Sequence, residues 1–154
     1  MNRNRIVGII YGIGTIAASI YFIISATVTT LTCTRIESTC ELVQSRLLRS
    51  DFVQKIPLNQ LLGAKVDVSK RMGRNRYQIK LIAKSGEIDF TNFYSSYDES
   101  KKQKNAYLIN TFVQDSKIPT LEVQQDERPL TYVICGIGII FGLGTVISSL
   151  NHKE

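Results

Sequence analysis

The densest run of chemically able side chains is Lys70-Arg71-Met72-Gly73-Arg74-Asn75-Arg76. Four cations on one short segment can meet phosphates, an anionic lipid surface or an acidic protein. Each basic group near anionic lipid contributes about 1 kcal/mol. The same run also reads as a solvated hairpin tip, since Gly73 and Asn75 suit a turn between two strands. Lys101, Lys102 and Lys104 add positive charge at the start of a later helix, where they are expected to be exposed and could extend the patch.

Acid–base and nucleophilic chemistry find little support. Asp67, Glu87 and Asp89 fall on or near expected strands, and nothing pairs them at a spacing that would shift one pKa for catalysis. The one histidine, His152, lies in the C-terminal tail, so neither a Ser-His-Asp triad nor an HExxH site can be assembled. Tyr94-Ser95-Ser96-Tyr97-Asp98 reads as a loop leading into a helix cap, or as a ligand-contacting or modified segment. Cys33 and Cys40 flank TRIEST and could face each other across a tight hairpin. They are either a disulfide in an oxidising compartment or a pair of reduced, half-buried thiols. A lone Cys-x6-Cys does not provide tetrahedral metal ligation. The expectation is a non-enzymatic chain with no cofactor and no metal.

The elements that must position these residues are dominated by the two ends of the 154-residue chain. Arg5 and Arg35 bracket twenty-nine residues without charge. A helix needs about 20 residues to cross a bilayer. A first span is expected over residues 6–27 after a basic tail, 1–5. A second is expected over residues 131–150 before a short tail, 151–154. The first apolar run is longer than a signal-peptide core, and Ile24-Ser25-Ala26 is a poor cleavage site, so a retained helix is expected. Arg3, Arg5 and Lys153 favour cytoplasmic termini and an extracytoplasmic middle, a bias opposed by Arg35 and Arg128 at the other side. Lipid is therefore the expected surrounding. Nucleic acid is not expected, despite the net charge of +6, because Trp is absent and aromatic interleaving is thin.

The two spans resemble each other. Residues 7–19 (VGIIYGIGTIAAS) and 137–149 (IGIIFGLGTVISS) are identical at seven of thirteen positions. Gly8, Gly12, Thr15 and Ser19 recur at intervals of four, three and four, and so do Gly138, Gly142, Thr145 and Ser149. Each set forms one face of a helix. In lipid, small residues allow the close backbone approach on which helix association depends. At about 1.5 Å per residue, Gly14 and Gly144 fall in the same half of the bilayer in an antiparallel pair. The faces are expected to meet within one molecule, across a homodimer or against another subunit. Cys135 in the second span is read as a small packing residue. Gly12-Ile-Gly14 and Gly142-Leu-Gly144 lack the strand–turn–helix setting of a nucleotide loop. The absence of Asp, Glu, Lys, Arg and His from either span argues against a transport path.

Between the spans, residues 28–126 read as strands followed by one late helix. Thr29–Arg35 and Cys40–Leu48 suggest a hairpin. Ile56–Gly63 is a connection into a strand at Ala64–Ser69. Tyr77–Ala83 alternates polar and apolar residues, residues 84–87 form a turn, and Ile88–Phe93 is the next strand. A helix follows, capped by Asp98 or a nearby Ser, with Glu99 in its first turn and Ala106, Leu108, Ile109, Phe112 and Val113 on its apolar side. Leu121–Gln125 is a short last strand. This is an α+β pattern with a curved antiparallel sheet closed by the helix.

The rhythm of residues 56–66 (IPLNQLLGAKV), 76–81 (RYQIKL) and 86–90 (GEIDF), with the late helix, resembles membrane-anchored bacterial pleckstrin-homology-like (PH-like) domains. The hairpin carrying Cys33-Thr34-Arg35 and Cys40-Glu41-Leu42 is similar to those of small two-span membrane proteins of that kind, including cyanobacterial ones. The resemblance covers about residues 30–125 and includes no catalytic signature. The last strand and second span depart from a minimal domain of that type. It implies a binding, scaffolding or assembly module, and assigns no site residues. The alternative expectation is an accessory subunit of a larger membrane complex, with the glycine faces packed on other subunits.

Overall fold

The computed structural model describes residues 3–91 and 94–151. It divides into two compact units. One comprises Met1–Thr27, Arg46–Arg49 and Glu127–Glu154, and the other comprises Val28–Ser45 and Ser50–Asp126.

The first unit is built on two long helices, α1 (Arg3–Ser25) and α3 (Arg128–Asn151). Both are long and apolar enough to cross a membrane. They pack against each other along their length. The helix α1 ends two residues before the expected limit of the first span, because the Thr/Val-rich segment from Thr27 is already strand. Pro129 sits in the first turn of α3, where its missing N–H costs nothing, so this helix begins earlier than expected. Residues 152–154, with the tail charges His152 and Lys153, lie outside the described residues.

The second unit is α+β. Its strands are β1 (Thr27–Thr34), β2 (Thr39–Arg46), β3 (Arg49–Pro57), β4 (Leu61–Arg71), β5 (Arg74–Ala83), β6 (Gly86–Asp89) and β7 (Thr120–Asp126). A 3-10 turn, Leu58–Gln60, joins β3 to β4, and helix α2 (Glu99–Gln114) lies between β6 and β7. One sheet has the order β3-β2-β1-β7 and the other β4-β5-β6. The first and last strands pair antiparallel, Val28 opposite Asp126 through Thr34 opposite Thr120. The alternation that marks a half-buried strand is clearest in β7, where Leu121, Val123 and Gln125 point inward. Helix α2 packs on β4, β5 and β7, and so on both sheets. Leu31, Leu42, Ile79, Leu81, Phe90, Ile109 and Phe112 form the fully buried centre.

Several expectations change. The strand β3 carries no apolar alternation, because of its residues only Ile56 is buried. Leu47 and Leu48 are a turn, where the hairpin strand was expected to continue. The strand β6 ends at Asp89, short of the expected Phe93, which lies outside the described residues. Asp98 occupies the N-cap position of α2 but adopts left-handed φ and makes no side-chain cap bond. Lys102 is fully buried, whereas Lys101 and Lys104 are exposed.

Candidate functional site

The helix pair is organised by its small residues. A Cβ added at Gly8 would collide with Ser149 Oγ, and one at Gly138 would lie 2.5 Å from Ser19 Oγ. At Gly12 an added Cβ would meet Val146 Cγ2 at 2.6 Å and the Gly142 carbonyl at 2.7 Å. At Gly142 it would meet Ile16 Cγ1 at 2.6 Å and the Gly12 carbonyl at 2.8 Å. Thr15 and Thr145 each donate a 2.9 Å bond to the carbonyl one turn back, Tyr11 and Phe141 respectively, which satisfies their hydroxyls without a partner helix. Gly14 and Gly144, expected at matching depth, have nothing within 4 Å. They are two residues from the interfacial glycines, about 200° around the helix, and so face away. Gly144, Thr145 and Ser148 line a shallow groove of about 440 Å³ with Ile140, Phe141 and Ser149. Arg5 closes the end of the pair, donating to the carbonyls of Ser149 at 3.0 Å and Leu150 at 2.7 Å, where a cation complements the end of the α3 dipole. Cys135 is a free, buried thiol within α3.

The basic run forms the end of the β4–β5 hairpin. Met72 and Gly73 make its turn, both with positive φ, and Asn75 belongs to the strand beyond it. The register sets Arg71 opposite Arg74, Lys70 opposite Asn75 and Ser69 opposite Arg76. Alternation along each strand therefore places Arg71, Arg74 and Arg76 on one face and Lys70 on the other. All four cations are exposed, as is Met72 at the apex. The strand β6 pairs only with Lys80–Ala83 of β5, so this basic end is a two-stranded arm beyond the three-stranded part of the sheet. Lys102 does not extend it. Its ammonium donates to the Tyr77 carbonyl at 2.9 Å and to Ser95 Oγ at 2.5 Å.

A charged network lies on β4, β5 and β6. Glu87 accepts from Lys65 at 2.5 Å and from Lys80 at 3.4 Å, and Lys80 is 3.6 Å from Asp67. The Tyr94 hydroxyl donates to Asp67. That hydrogen bond holds the Asp67 carboxyl below its ordinary pKa, and Asp67 in turn pushes the Tyr94 phenol up. Lys65 and then Lys80 lower Glu87 by hydrogen bonding, while Glu87 raises Lys80. Both carboxyls are thus stabilised as anions, the opposite of a poised general acid. Within the expected Tyr94–Asp98 loop, Ser95 pairs with Tyr77 through both backbone groups, at 2.8 Å and 3.1 Å.

Cys33 and Cys40 are joined by a disulfide between β1 and β2, both fully buried. Beside this hairpin, Arg35 stacks over the Phe112 ring at 4.6 Å. Its guanidinium donates to the carbonyls of Ile118 at 2.8 Å, Phe112 at 2.5 Å and Asp115 at 2.9 Å, capping the end of α2. In the sequence Arg35 reads as the end of a strand and a charge near the membrane, with no signal for this cap. An open cavity of about 540 Å³ adjoins it, lined also by Ser38, Pro57, Leu58, Asn59, Leu61 and Val113. Asn110 pins α2 to β4 by accepting from Ala64 N at 2.8 Å and donating to its carbonyl at 3.0 Å. Gly63 at φ +151° makes room, since a Cβ there would lie 2.5 Å from the Asn110 side-chain oxygen. Among the described residues no three His, Cys, Asp or Glu side chains cluster to hold a metal.

No family model, no curated protein and no solved structure matches this chain.

Proposed function

We propose that this chain is a non-enzymatic integral membrane protein, with α1 and α3 as a two-span anchor and the α+β unit as a PH-like binding, scaffolding or assembly module. The observation that carries the binding role is the basic arm, on which Arg71, Arg74 and Arg76 share one exposed face around the Met72 apex. Clustered arginines on a projecting hairpin suit phosphate or carboxylate groups, which guanidinium binds through paired donors. Two antiparallel sheets closed by one late helix are consistent with the PH-like reading, from which the last strand departs. The Cys33–Cys40 disulfide supports an extracytoplasmic unit and cytoplasmic termini, because disulfides persist in oxidising compartments.

A second reading, an accessory subunit of a larger membrane complex, is favoured by one observation. Gly14 and Gly144 lie outside the α1–α3 contact, where they leave room for a further helix. Purification of the full chain in mild detergent separates the two readings. A monomer or homodimer supports the first, and stoichiometric partners support the second. For the arm, replacing Lys70, Arg71, Arg74 and Arg76 with Ser is expected to reduce capture of anionic vesicles or an acidic partner. Equal capture by both forms would leave the arm as a solvated hairpin.

A further inference from the structure

The β2–β3 connection is a two-residue turn, Leu47-Leu48, between Arg46 at the end of β2 and Arg49 at the start of β3. Two-residue hairpin loops favour Asn-Gly or Gly because the matching turns require positive φ. Neither leucine adopts positive φ, and both are exposed, at 55 % and 70 %. Turn chemistry does not select leucine there, and no core receives it. A local rule broken in this way points to a requirement outside the fold.

The place of the turn supplies that requirement. Cys33 and Cys40 lie opposite each other with Cα atoms 4.0 Å apart, and β1 and β2 are eight residues each. The other end of this strand pair therefore sets Arg46 across from Thr27, about 4.8 Å away in a sheet. Thr27 follows the last residue of α1 with only Ala26 between. Arg46–Arg49 accordingly belongs to the same compact unit as both helices. The helix ends nearest in sequence to Thr27 and Glu127 carry exposed aromatics, Tyr21 and Phe22 on α1 and Tyr132 on α3. Such side chains sit at membrane–water boundaries.

We infer that Arg46-Leu47-Leu48-Arg49 is a third membrane contact, placing its leucines in the interfacial layer of the bilayer that α1 and α3 cross and its arginines at the phosphates. Two apolar tips flanked by two cations match the order of acyl chain and headgroup, since Arg keeps its charged head at the polar layer while its stem lies along apolar surface. The two leucines are too small a patch for a stable protein interface, which buries about 1,200 Å² or more. The inference rests on the membrane-spanning reading proposed above.

The test uses the full chain with Cys135→Ala, reconstituted in phosphatidylcholine–phosphatidylglycerol vesicles. An environment-sensitive fluorophore is attached at Leu48→Cys, at Ile140→Cys in α3 and at Ile36→Cys, which is 90 % exposed in the β1–β2 turn. Lipids with brominated acyl chains should quench the labels at 48 and 140 severalfold more than the label at 36. Leu47→Cys repeats the measurement at the neighbouring position. Quenching at 140 with water-like emission and no quenching at 47 or 48 would overturn the inference while leaving the spans intact. Blue-shifted emission at 48 without quenching would assign the leucines to a protein contact and overturn it equally. No quenching at 140 would remove the spanning reading, and this contact with it.

Discussion

Gly12 and Gly142 face each other across the helix pair so closely that a Cβ on either would sit within 2.8 Å of the other's carbonyl oxygen. The neighbouring approaches are reciprocal. Gly8 meets Ser149 as Gly138 meets Ser19, and Gly12 meets Val146 as Gly142 meets Ile16. Adding 130 to a residue of α1 gives its counterpart in α3, so the duplicated segments pack about a local two-fold axis near Gly12 and Gly142. Repetition of the small-residue spacing makes the two surfaces self-complementary.

Gly12→Leu with Gly142→Leu is therefore expected to destabilise the helix pair, since overpacking costs about 1–3 kcal/mol. Gly14→Ala with Gly144→Ala should be tolerated, because nothing lies within 4 Å of either site. Thermal unfolding in detergent and engineered cross-linking between α1 and α3 report the difference. Equal behaviour of the two double variants would contradict the packing.

Lys102 separates from its neighbours in the same way. Lys102→Met removes bonds to the Tyr77 carbonyl and Ser95 Oγ, and is expected to cost about 1–3 kcal/mol. Lys101→Met, at an exposed position, should change stability by no more than about 0.5 kcal/mol. Chemical denaturation of the two variants decides it, and similar midpoints would count against a structural Lys102.

The pH response follows from Asp67 and Glu87. Both have folded pKa values depressed below their unfolded ones, by the Tyr94 hydroxyl and by Lys65 with Lys80 respectively. The stabilisation is complete above the ordinary carboxylate range and is lost as pH falls through the depressed values. Tyr94→Phe should return Asp67 upward while leaving Glu87 low, and Lys65→Met should raise Glu87. Carboxyl carbon chemical shifts followed against pH test both, and an Asp67 titration unmoved by Tyr94→Phe would contradict the assignment.

The parts of the fold legible in the sequence are those with local causes. The apolar runs mark α1 and α3, the four-three-four spacing marks their facing glycines, and alternation marks β5 and β7. Strand β3 was hidden because its apolar residues Phe52 and Val53 are exposed and Ile56 alone is buried. The charge of Lys102 predicts exposure, although its spacing aligns it with Asn105, Ala106, Ile109 and Phe112 on the buried stripe of α2. Gly14 and Gly144 share a depth in the two spans, but helical angle sets them apart from the facing pair Gly12 and Gly142. The cap formed by Arg35 and the bridge from Tyr94 to Asp67 join residues distant in the chain, for which no spacing rule exists.

The proposed two-span anchor with the α+β unit outside is open to thiol labelling in intact cells. Single cysteines at Ile36→Cys and Asn151→Cys, in a Cys135→Ala chain with the Cys33–Cys40 disulfide retained, are treated with a membrane-impermeant maleimide. Position 36 should label in intact cells and position 151 only after permeabilisation. Labelling of both positions from the same side, or of position 36 only after permeabilisation, would contradict it.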